Sequence, residues 1–195
     1  LCSKVHLNFG QKILGISMVL KKFSTTELIC ARLRLKANGQ QNLRQNKINK
    51  KFIYLISPNN IRDEIFYTNL ALVLSLGKVS FFQLRLKKET NSNKLIIGKK
   101  IKRICKKYKV KFLINDDPLL AKKLNADGCH LGQKDMDLIK SRKILKNKII
   151  GVTCHNSINL AKRAIKAGAD YLAFGAFYSS KTKIVKYRAS LKILK

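Results

Sequence analysis

From Lys51 onward, short apolar runs alternate with longer stretches whose apolar residues recur at helical spacing. That order permits few folds. Phe52–Ile56 reads as a buried strand, closed by Ser57-Pro58-Asn59-Asn60. A helix over about 61–76 stops at Gly77, and Val79–Leu86 is a second strand. The pattern continues with a helix over 91–108, a strand over 110–114 and a short helix over 118–123. A strand over 128–131, a helix over 138–145, a strand over 148–153 and a helix over 157–167 follow. A sixth strand over 170–174 leads into a loop to about Tyr187, and a last helix starts at Ala189.

Strands alternating with helices imply βαβ units and a parallel sheet, in either a doubly wound sheet or an eight-fold barrel. No G-x-G-x-x-G follows the first strand, which disfavours a dinucleotide-binding sheet. The expected class is therefore α/β, a (β/α)8 TIM barrel of which about six βα units are visible. Closure needs eight, so the sequence is expected to stop about two units short, with open edges that leave this stretch neither active nor stable alone. The barrel occupies 50–195. Residues 1–49 are basic, with Glu27 as their single acid, and lack periodicity. They read as an extension outside the fold: a transit peptide, a disordered tail, or sequence upstream of the true start.

Charge enters because of where the carboxylates lie. The chain has 42 Lys+Arg against 10 Asp+Glu, a formal net charge of +32. Yet Asp116, Asp117, Asp127, Asp135 and Asp137 fall within one segment, which suggests a hard cation. The lysines are spread over almost every segment without an aromatic-interleaved stripe, so specific nucleic-acid binding is not expected, although small anions would be attracted. No apolar run approaches the ~20 residues of a membrane span. Five cysteines without a C-x-x-C pair suit reduced thiols in a cytoplasm.

Along the second strand, Gln83, Arg85 and Lys87 share one face, and Phe82, Leu84 and Leu86 the other. The first set would give a cationic face inside a barrel. Alternatively the strand ends by Leu84 and the charges are solvated loop. Other candidates follow strand C-termini: Asn115 and Asp116, Gln133 and Asp135, Thr153 and His155, and Gly175 with Ser179–Lys183. In a barrel those ends meet on the rim that holds active sites. Carboxylates for Mg2+ beside cations for phosphate oxygens suit phosphoryl or diphosphate chemistry. Individually, several of these residues have plainer roles. Asp127 and Asp170 suit turns or strand starts, His130 a satisfied core position, and Asp117 an N-cap before Pro118.

These residues resemble the thiamine-phosphate synthase (thiamine-phosphate pyrophosphorylase) family over residues ~52–195. The resemblance is carried by Phe82-Gln83-Leu84-Arg85-Leu86-Lys87, Ile114-Asn115-Asp116-Asp117, the run from Ala126 to Asp135, and Ile150-Gly151-Val152-Thr153-Cys154-His155. The run from Ala169 to Gly175 and Ser180-Lys181-Thr182-Lys183 complete it. It implies a transferase of thiamine biosynthesis that joins hydroxymethylpyrimidine diphosphate to thiazole phosphate, releasing diphosphate by dissociative substitution. By similarity Gln83-Leu84-Arg85-Leu86-Lys87, Asn115, Thr153 and Lys183 would hold the pyrimidine diphosphate, with Arg85, Lys87 and Lys183 catalytic. Ser180, Lys181 and Thr182 would hold the thiazole phosphate, and Asp116 and Asp135 would ligate Mg2+.

Three positions depart from the family pattern: Thr153 replaces a usual Ser, Ser179 a usual Pro, and Ser180 the first Thr of Thr-x-Thr. The partners implied are small phosphorylated molecules, with neither membrane nor specific nucleic acid. Homo-oligomerisation is left open. Two rivals remain: a thiazole tautomerase relative using His155 as acid/base, and a non-catalytic basic protein associated with nucleic acid.

Overall fold

The computed structural model describes residues 53–178 and 187–194. Six strands, β1 (Ile53–Ile56), β2 (Val79–Leu84), β3 (Lys111–Asn115), β4 (Gly128–Leu131), β5 (Ile149–His155) and β6 (Tyr171–Phe174), form one sheet in sequential order. Every adjacent pair is parallel. Between them run α1 (Glu64–Ser75), α2 (Asn91–Lys107), α3 (Pro118–Lys123), α4 (Leu138–Leu145) and α5 (Ile158–Lys166), and a 3-10 turn spans Leu191–Leu194.

Alternation along the strands divides the core into two layers. Phe82, Leu84, Phe112, Ile114, Cys129, Leu131, Ile150 and Val152 face the helices, in one continuous apolar cluster. The helices meet them with residues one turn apart, Phe66, Leu70 and Leu74 on α1 and Ile97, Ile101 and Cys105 on α2. The opposite parity forms a smaller cluster of Phe81, Leu113 and Tyr171, with Tyr54 and Ile149 against it.

That second cluster proves the sheet is curled. Six flat strands would hold β1 and β6 about 24 Å apart, beyond the reach of two side chains. Yet the hydroxyls of Tyr54 on β1 and Tyr171 on β6 are 2.8 Å apart. The sheet is a half-barrel with a concave, partly polar interior.

Most expected boundaries move by a residue or two, and one has consequences for the site. The second strand ends at Leu84, not Leu86. The Arg85 N–H donates to the Ser57 hydroxyl at 2.8 Å, so it leaves the ladder for a side chain of the preceding loop. Leu86 nevertheless stays buried on the helix side. β5 runs two residues further than expected, because His155 pairs with Phe174 across an irregularity. α1 starts at Glu64 although Ile61 is already buried, and the last turn starts at Leu191 rather than Ala189.

Glycine at position 151 makes room for the interior. Gly151 lies opposite Tyr171 in register, and a Cβ there would sit 1.9 Å from the Tyr171 ring. Gly151→Ala is expected to cost about 1–3 kcal/mol of stability, measured by denaturant unfolding. A loss below about 0.5 kcal/mol, the range of neutral substitutions, would show that the ring moves freely aside.

Candidate active site

All six strands run the same way, so their C-terminal ends form one rim. Asn115 ends β3, and Asp116 follows it in the left-handed region at φ 65°. Such a conformation is costly for a residue with a Cβ and is found where surrounding structure over-determines it. Here the Asp116 N–H is held by the His130 carbonyl at 2.8 Å. His155, the last residue of β5, shares the conformation at φ 51°, its carbonyl accepting from Gly175 N–H at 3.0 Å.

Asp116 is the centre of the charged group. Lys87 Nζ lies 3.4 Å from its carboxylate. Asp135, in the β4–α4 loop, is folded back by the Gly132 N–H at 2.6 Å, which brings its carboxyl within hydrogen-bonding reach of Asp116. Partial burial and then the adjacent Asp116 hold the Asp135 carboxyl above the usual carboxylate range, opposed by the Gly132 N–H and the Lys87 ammonium. A carboxyl held up by a neighbouring carboxylate suits an added cation. Among the described residues no group of three His, Cys, Asp or Glu could hold a metal ion. The pair therefore fits an ion that keeps water and takes other ligands from phosphate oxygens, as Mg2+ does.

Beside Asp116 lies a cleft of about 210 Å³, walled by Leu84, Leu86 and Ile114 and rimmed by Lys87, Lys94, Asn115 and Asp116. Its walls belong to the helix-facing layer, so it is distinct from the concave face. Asn115 touches both: it lines the cleft, and its Oδ1 accepts from the buried Gln83 amide. The side chains of Leu84 and Leu86 pack in the core and present only their edges to the cleft.

The remaining candidates are distributed around this centre. Arg85 is held 2.7 Å from Asn59 Oδ1 in the loop after β1. Thr153 is on the concave face, its hydroxyl 2.8 Å from His130 Nε2. His155 packs against Tyr187, ring centroids 4.4 Å apart, and Gln133 donates to the Thr153 carbonyl. Ser179, Ser180, Lys181, Thr182 and Lys183 lie outside the described residues. Lys94 and Tyr54 lie in no motif, and Tyr171 lies in the Ala169–Gly175 run without being assigned a role there. Tyr54 shares the inward parity of β1, and Lys94 stands one helical turn inside α2, signals too common to single them out.

The other acids have the plainer roles. Asp117 caps α3, accepting from Leu120 N–H at 2.9 Å, and Asp137 caps α4. Asp127 accepts from Phe112 N–H at 2.9 Å, and Asp170 from Ile150 N–H at 2.8 Å and Arg142 at 2.6 Å. His130 is a satisfied histidine with partners on both ring nitrogens.

A carboxyl whose folded value lies above its unfolded one, about 3.9, makes the native state hold more protons over that interval. Stability then falls as pH rises through it. Asp116→Asn removes the neighbouring charge, so in metal-free buffer the variant should lose less stability than the parent as pH rises above about 4. An equal or steeper fall in Tm over that range would show that the two carboxyls do not interact.

Comparison with known proteins agrees with this geometry. The family model for thiamine monophosphate synthase matches residues 53–195. The chain is 84% identical over 153 residues to the thiamine-phosphate synthase of Pelagibacter ubique, covering 78% of this chain and 74% of that one. It is 47% identical over 108 residues to that of Marinobacter nauticus, covering 55% of this chain and 49% of the other. A solved thiamine phosphate pyrophosphorylase from Pyrococcus furiosus superposes with a TM-score of 0.59 at 28% identity, over 68% of this chain and 64% of that one. The match spans about half to three quarters of these relatives' own lengths. The chain belongs to the thiamine monophosphate synthase family.

Proposed function

We propose that this protein joins a 4-aminopyrimidine carrying a diphosphooxymethyl group to a thiazole phosphate, forming thiamine phosphate and releasing diphosphate. The observation that carries this reading is the grouping of Lys87, Asp116 and Asp135 next to Asn115 at the C-terminal rim of a curled parallel sheet, in a member of this family. Completion of the sheet to an eight-stranded barrel is part of the same proposal.

Gln83 and Asn115 would hold the pyrimidine, with Thr153 across the concave face and Leu84 and Leu86 supporting the wall. Arg85 and Lys87 would hold the diphosphate, joined by Lys183. Ser180, Lys181 and Thr182 would hold the thiazole phosphate. Asp116 and Asp135 would bind Mg2+, which when present offsets the charge of the departing diphosphate. The carbon–oxygen bond breaks first and diphosphate leaves with the electron pair. The resulting pyrimidine cation is captured by the thiazole nitrogen, whose lone pair forms the new carbon–nitrogen bond. The role of Arg85 and Lys87 is to keep the negative charge where it develops. Tyr54, Phe81 and Tyr171 line the interior with aromatic surface, which limits water near a cation that water would quench.

A tautomerase built on His155 is less well supported. Paired carboxylates beside a lysine ammonium suit a polyanion, whereas an isomerisation has no diphosphate to release. A nucleic-acid role rests on charge alone, and none of the described helices is long and apolar enough to cross a membrane.

With the barrel completed to eight units, thiamine phosphate formation from the two precursors should require Mg2+ and fall at least about 100-fold in Asp116→Ala, the scale of losing one electrostatic support. Full turnover by that variant, or by protein treated with a chelator, would refute the metal assignment.

A further inference from the structure

Six side chains on the concave face form one unbroken hydrogen-bond chain, and each comes from a different strand. Gln83 on β2 donates its amide N–H to Asn115 Oδ1 on β3. Tyr54 on β1 donates to Gln83 Oε1 at 2.7 Å. The Tyr54 and Tyr171 hydroxyls are 2.8 Å apart. Tyr171 on β6 is 2.8 Å from His130 Nδ1 on β4, and His130 Nε2 is 2.8 Å from the Thr153 hydroxyl on β5.

Counting protons gives this chain a direction. Each phenol has one hydrogen to donate, and burial raises the pKa of both Tyr54 and Tyr171, so both keep it. Tyr54 spends its hydrogen on Gln83, so Tyr171 must donate to Tyr54. The Tyr171 oxygen then accepts from His130 Nδ1–H, which makes Nε2 the acceptor for the Thr153 hydroxyl. At one end Asn115 retains its amide hydrogens. At the other, the Thr153 oxygen presents lone pairs. Reversing the chain would turn every donor around.

We propose that Tyr54, Tyr171 and His130 are positioning residues that act through this chain to fix Asn115 as a donor and Thr153 as an acceptor toward the pyrimidine. This rests on the assignment of Asn115 and Thr153 to the pyrimidine. An aminopyrimidine offers ring nitrogens that accept and an amine that donates, so a fixed polarity selects it and its orientation. A substrate bound elsewhere, such as the thiazole phosphate, gains nothing from it.

The test is nitrogen NMR of His130 in the intact protein, above the pH at which imidazole ionises, with steady-state kinetics in parallel. The parent should show the Nδ1–H tautomer. Tyr171→Phe, which removes one oxygen from the chain, should shift His130 to Nε2–H, donating to Thr153. The same variant should lower kcat/KM about tenfold when the pyrimidine diphosphate is varied, the scale of one lost buried hydrogen bond, with the KM for thiazole phosphate unchanged. Tyr54→Phe should reproduce the kinetic effect, and serves if Tyr171→Phe does not fold. An Nε2–H tautomer in the parent, an unchanged tautomer in Tyr171→Phe, or an equal rise in KM for both substrates would overturn the proposal. If the parent makes no thiamine phosphate, the proposed function fails while the tautomer measurements still decide the polarity.

Discussion

Tyr54 and Tyr171 hold together the two ends of a six-stranded sheet. Their contact depends on curvature, because β1 and β6 are the two ends of the ladder. Parallel strands connected by helices curl because each helix must cover the face it packs against while the strands keep their twist. Curling shortens the distance between strands that are remote in the ladder. Residues from all six strands can then join in one hydrogen-bond chain. In a flat sheet Tyr54 and Tyr171 would stand apart, and the chain would break between β1 and β6.

Strand polarity assigns the acids to different tasks. Asp127 and Asp170 precede strands and stitch their neighbours together at the N-terminal end of the sheet. Asp117 and Asp137 sit at helix starts, where a carboxylate satisfies amides that have no partner within the helix. Of these six, Asp116 and Asp135 remain at the end of a strand and in the loop after one at the C-terminal rim, where partial burial and then Asp116 raise the pKa of Asp135. In a chain of net charge +32, a carboxyl held above its usual range needs a specific reason. Partial burial and a neighbouring carboxylate supply it.

The rim is also where backbone strain is found at strand ends. Lys109, Asn125 and Lys146 adopt positive φ just after helices, an ordinary way to leave a helix. Asp116 and His155 do so just after strand pairing ends or at its last residue. Each is held by a backbone hydrogen bond to a neighbouring segment. The geometry that aims Asp116 at Lys87 and Asp135 is therefore stored in the backbone, not left to a flexible side chain.

The sequence by itself determined the order and type of the elements and the parity of the strands. Those follow from local rules: apolar runs, helical spacing, an Asp before Pro118, a glycine after α1. It also placed Asn115, Asp116, Asp135 and Thr153 near strand ends, and motif resemblance gave them roles. Alternation persists through Leu86 and cannot separate a strand end at Leu84 from one at Leu86, whereas the ladder is ended by the Ser57 hydroxyl, 28 residues away in the chain. Tyr54, Tyr171 and the linking role of His130 were beyond local reading for the same reason. Tyr54 and Tyr171 are 117 residues apart, and only the closing of the sheet makes them neighbours. Which side chains share a strand face is set by a period of two along one segment. Which faces meet is set by how far the whole sheet bends, and no single segment encodes that.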